Sequence, residues 1–103
     1  MEEIILEENS NLVEVDLEMN KLTEFTVGSK SKLEIINIRN NQIMNLSLQD
    51  NNTVKIIIMV NNKISDIKEL PLTLEILWVD KEAVTEYDFN RYMKLKELRI
   101  FGE

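Results

Sequence analysis

Nucleophilic and acid–base chemistry draws most often on His, Cys or a base-activated Ser, and this 103-residue chain has no His and no Cys. Ser10, Ser29, Ser31, Ser47 and Ser65 each lack an adjacent base, so none reads as a nucleophile. Glu14, Asp16 and Glu18 alternate along the chain and offer oxygens of the kind a hard cation takes. Three acids at one end of an array are read here as a solvated charged face. No Gly-rich phosphate loop is present. No catalytic residue, metal ligand set or cofactor site is therefore expected, because no group of residues meets the geometric needs of a reaction. The chemistry left is that of contact. It centres on Trp78, the single Trp, and on isoleucines placed where a soluble protein has little need of them.

Those residues take their meaning from the element that carries them. Residues 54–64 read VKIIIMVNNKI: apolar at the first, fourth, sixth and eleventh positions, Asn at the ninth. The same pattern occurs in register at 33–43 (LEIINIRNNQI) and at 12–22 (LVEVDLEMNKL). A fixed period in this range is the signature of a stacked repeat. A fourth unit begins at Leu74, with Glu82 in place of the Asn, and a partial unit occupies 95–103. Residues 1–11 fall outside the pattern. Residues 2–9 are read as a short strand capping the open first edge.

The second halves of the first two units alternate apolar and polar residues (Phe25 and Val27, Leu46 and Leu48), which predicts short extended pieces. In the third, Ile64, Ile67 and Leu70 suit a turn of tight helix ended by Pro71. In the fourth, Thr85 and Asp88 suit an N-terminus. Phe89, Tyr92 and Met93 would line one helical face. The expectation is one domain over 1–103, an α/β solenoid. It has a parallel sheet on one side, extended or tight-helical back segments and one C-terminal helix.

The pattern L-x-x-L-x-L-x-x-N-x-L resembles the leucine-rich repeat family across 12–103, and NNKISDIKEL in the third unit is similar to internalin-type repeats. Membership implies a role in protein recognition. The physical logic stands beside the resemblance. Positions one, four and six point inward, each burial worth roughly 1.5–3 kcal/mol. Asn20, Asn41 and Asn62 should form a ladder that satisfies backbone groups of the turns.

Positions three, five and seven point outward from the sheet. They read Glu14, Ile35, Ile56, Ile76, Glu97; then Asp16, Asn37, Ile58, Trp78, Arg99; then Glu18, Arg39, Val60, Asp80, Phe101. A solvated sheet face is normally polar. Here Ile35, Ile56, Ile58, Val60, Ile76 and Trp78 make an apolar centre, with Arg39, Asp80, Arg99 and Phe101 around it. An apolar centre in a charged rim fits a protein-binding site. Two alternatives stay open: a homodimer through this face or through the C-terminal strand edge, and a cover formed by the C-terminal helix.

The formal charge is −7, from 19 acidic and 12 basic residues. That argues against direct nucleic-acid binding. No apolar run reaches membrane-spanning length, and the N-terminus carries no secretory signal. The functional expectation is a non-catalytic, cytoplasmic protein-binding module. One subtype is an inhibitor of a host or defence enzyme, of the kind a phage or pathogen places in its host's cytoplasm. An acidic nucleic-acid mimic and a structural homo-oligomer are the rival readings.

Overall fold

The computed structural model describes residues 3–6, 13–28, 31–48, 51–64, 67, 70–84 and 87–102. In chain order the strands are β1 (Glu3–Leu6), β2 (Glu14–Asp16), β3 (Glu24–Val27), β4 (Ile35–Asn37), β5 (Asn45–Ser47), β6 (Ile56–Ile58), β7 (Ile76–Asp80) and β8 (Glu97–Phe101). They form two parallel sheets. The front sheet runs β2-β4-β6-β7-β8 and the back sheet β1-β3-β5. The chain alternates between them and winds a β-solenoid of about four turns.

The sequence period becomes the pairing register. Glu14 lies beside Ile35, Ile35 beside Ile56, Ile56 beside Ile76, and Ile76 beside Glu97. The step from β6 to β7 is one residue shorter than the others, and the turn at Pro71, where the Leu74 N–H bonds Pro71 O at 3.1 Å, absorbs it. Inward positions stack into a continuous core. Ile36, Ile57 and Leu77 are fully buried, as are Leu33, Val54 and Leu74, and Phe25 and Val27 close it from the back sheet. No unit buries its inner face without neighbours, so stability resides in the stack.

The strand expected near the N-terminus is present, but it does not cap the front sheet. Ile4 pairs with Phe25 and Leu6 with Val27, so β1 extends the back sheet one period upstream. Residues 3–6 are thus the back half of a further unit.

The α/β assignment needs correction. Among the described residues the only helix is a 3₁₀ turn, Lys81–Val84. The tight helix expected over 64–70 lies largely outside the described residues. The C-terminal helix is absent over 87–94. Asp88 Oδ1 takes the Asn90 N–H at 2.9 Å, a local bond that competes with helix formation. Separate tight turns follow, Tyr92 N–H to Phe89 O and Leu95 N–H to Tyr92 O, both at 3.1 Å. Tyr92 turns inward, while Met93 is 89% exposed, so the expected shared face does not exist. The Tyr92 hydroxyl instead accepts the buried Leu70 N–H at 3.1 Å and meets the Tyr87 hydroxyl. Burial, with the Tyr92 contact next, pushes the Tyr87 phenol well above its ordinary value.

Candidate interaction face on the front sheet

The short strands leave one side of each front strand to the core and the other to solvent. On the solvent side the register sets Ile35, Ile56 and Ile76 in one row and Ile58 and Trp78 in the next. Val60 continues the surface beyond β6. All six are half-buried by each other and by flanking side chains. The sheet brings together every apolar residue singled out from the repeat pattern.

Trp78 is held by three side chains of β8. Its indole N–H donates to Glu97 Oε2 at 2.7 Å. The Arg99 guanidinium lies over its ring, 5.0 Å from the centroid, a favourable cation–π placement. Phe101 tilts against it with centroids 6.0 Å apart. Arg99 Nε also donates to Glu97 Oε2 at 2.9 Å. The Trp78 hydrogen bond, helped by Arg99, holds the Glu97 carboxyl below its usual range against some desolvation. These three β8 side chains together set the orientation of the indole.

The rim charges are paired along the rows. Arg39 Nε lies 3.7 Å from Glu18, Lys55 3.9 Å from Glu34, and Lys96 3.3 Å from Glu75. Exposed pairs of this kind contribute at most about 1 kcal/mol each. They do neutralise the acids that border the apolar rows.

Asp80, expected on the rim, has a structural task. Its Oδ1 accepts the Asn61 N–H at 2.9 Å and its Oδ2 the Asn62 N–H at 3.0 Å. In the units before it, backbone carbonyls serve the corresponding turn: Met19 N–H to Arg39 O and Asn40 N–H to Val60 O.

The Asn ladder is formed and graded. Asn41 is buried; its amide donates to Leu17 O, Ile38 O and Arg39 O, and its Oδ1 accepts the Leu22 N–H. Asn62 repeats this, donating to Ile38 O and Met59 O and accepting the Ile43 N–H. Asn20 is exposed and, among the described residues, bonds to Leu17 O and Glu18 O of its own turn. Glu82 lies in the 3₁₀ turn.

Two further sets of residues escaped sequence reasoning. Met19, Asn40 and Asn61 are left-handed, with φ of 62°, 58° and 65°; the repeated Asn at the eighth position was the available signal. A second polar ladder runs along the opposite turns. Asn51 Oδ1 accepts the Thr53 and Val54 N–H groups, Thr53 Oγ1 donates to Leu33 O, and Thr73 Oγ1 to Val54 O. Thr53 and Thr73 close successive units, a spacing visible in the sequence.

Among the described residues no group of three or more His, Cys, Asp or Glu is arranged to hold a metal. Ser31 is buried and accepts the Leu33 N–H, which leaves it a structural hydroxyl. No described helix is long and apolar enough to cross a membrane. The fold and face together define a parallel β-solenoid with an apolar-centred sheet surface. Neither a family model nor a curated protein nor a solved structure matches the chain.

Proposed function

We propose that this chain is a leucine-rich-repeat-type recognition module that binds a protein partner through the front face and carries out no catalysis. The supporting observation is the pair of register-aligned rows, Ile35-Ile56-Ile76 and Ile58-Trp78. Nothing in the core requires apolar side chains there, and a rigid aromatic anchor inside a charged rim is the usual composition of a binding hot spot. The partner works in the cytoplasm, and binding acts by occupying its surface, as an inhibitor of a host or defence enzyme would. A nucleic-acid mimic needs an unneutralised array of carboxylates, whereas Glu18, Glu34, Glu75 and Glu97 each stand beside a cation.

The test compares wild type with Trp78→Ala and Ile58→Asp as immobilised bait, followed by titration of the captured protein in purified form. A partner held by wild type and lost by both folded variants supports the reading. Equal affinity for all three overturns it. Affinity that collapses with added salt points to the mimic instead.

A further inference from the structure

The C-terminal end of the front sheet is unfinished among the described residues. Through the stack, the sixth residue of each unit donates its N–H to the next strand: Leu17 to Asn37 O at 2.8 Å, Ile38 to Ile58 O at 2.9 Å and Met59 to Trp78 O at 2.9 Å. The second residue's carbonyl accepts from the next unit, as Val13, Glu34, Lys55 and Glu75 do. The equivalent groups in the last unit are the Ile100 N–H and the Lys96 carbonyl. They face an edge that no described strand covers. Leu98 and Ile100 occupy inward positions, yet they are 37% and 48% exposed.

The two edges of this sheet differ in what they tolerate. The β2 edge carries Glu14 and Asp16, and Glu18 follows it, so two β2 edges brought together meet like charge. The β8 edge alternates Glu97 and Arg99 and is self-complementary. We propose that β8 pairs antiparallel with β8 of a second copy about a twofold axis at Leu98, joining two five-stranded front sheets into one.

This register is specific. It sets Leu98 against the partner's Leu98, where each donates to the other. It sets the Ile100 N–H against the partner's Lys96 carbonyl, twice by symmetry. On the front face Glu97 meets the partner's Arg99, and Arg99 the partner's Glu97. Oppositely charged residues directly across a strand pair attract and like charges repel. Moving the axis one residue either way opposes Arg99 to Arg99 or Glu97 to Glu97. Head-to-tail stacking of β8 on a neighbour's β2 continues the period, but it balances an attractive pair (Arg99 on Asp16) with a repulsive one (Glu97 on Glu14), and it does not close. The pairing uses an edge and leaves the isoleucine rows open; it shares Glu97 and Arg99 with the surroundings of Trp78, so hydrogen exchange on the wild type is the readout that separates it from front-face recognition.

The test is a concentration series by sedimentation velocity on wild type, Glu97→Arg and Arg99→Glu. Wild type should dimerise. Each variant alone should associate about tenfold or more weakly, since both cross-strand pairs become like-charged. An equimolar mixture of the two variants should restore the dimer, because every cross-strand pair is again opposite in charge. Amide hydrogen exchange on wild type gives a second readout that needs no variant. Protection of Leu98 and Ile100 should rise with concentration, while that of Glu97 and Arg99, which face β7, should not. A wild type that stays monomeric to millimolar concentration overturns the proposal. So does a dimer indifferent to both charge reversals, or growth of open-ended species.

Discussion

The indole N–H of Trp78 is bonded to the carboxylate of Glu97, one strand away, at 2.7 Å. The acid is held below its usual range by this bond first and by Arg99 second. A depressed carboxyl contributes stability above its unfolded-state value and loses it as pH falls through the lower folded value. Fluorescence from the single Trp should stay constant on acidification through the ordinary Glu range near pH 4.3 and change only below it. Glu97→Gln should lack that step. The same step in wild type and variant would disprove the link.

Asp80→Ala leaves two backbone donors of the neighbouring turn without their acceptor. Hydrogen bonds to a charged group are worth about 1.5–3 kcal/mol each, less where water can replace them. A loss of about 2 kcal/mol is expected in urea unfolding. Asp80→Asn keeps one acceptor and should fall between the two. If Asp80→Ala unfolds at the wild-type midpoint, the turn does not depend on it.

The graded ladder makes a paired prediction. Asn41→Ala strands the buried Leu22 N–H and should cost about 2 kcal/mol, since Leu17 O, Ile38 O and Arg39 O keep donors from Asn20, Asn62 and Met19. Asn20→Ala removes exposed bonds that water replaces and should cost under about 1 kcal/mol. Equal effects on the melting transition would mean that burial does not set the value of these amides.

Met19 holds a left-handed conformation at φ 62° while its side chain is 74% exposed. Asn tolerates that region better than other non-Gly residues, and Asn40 and Asn61 occupy the same position in the next units. Met19→Asn should therefore stabilise by about 0.5–1 kcal/mol, seen as a rise of a few degrees in melting temperature. A β-branched Val at the same position should do the reverse.

The front sheet was legible because inward and outward positions repeat together. Once Leu33, Ile36 and Ile38 align with Val54, Ile57 and Met59, the row Ile35-Ile56-Ile76 follows with no further information. What could not be read was set by contacts across units. Asp80 occupies a rim position by count, and only the geometry of the turn at Asn61 and Asn62 shows what its carboxylate serves. Phe89, Tyr92 and Met93 have helical spacing, but the buried Leu70 N–H draws Tyr92 inward and Met93 is left outside. Glu3–Leu6 lie 21 residues upstream of Glu24–Val27 and pair with them, a match between back halves that the front-strand pattern does not reveal.

Every strand pairing in the front sheet joins residues 20 or 21 apart. Loop-closure entropy depends on that separation, so no pairing has a kinetic head start over another. The order of folding then passes to burial. Fully enclosed side chains run from Leu22 to Val79, and growth outward from within that stretch needs only one more equal loop at each step. Such a chain should show no single long-range nucleus, and its ends should exchange amide protons before its middle does.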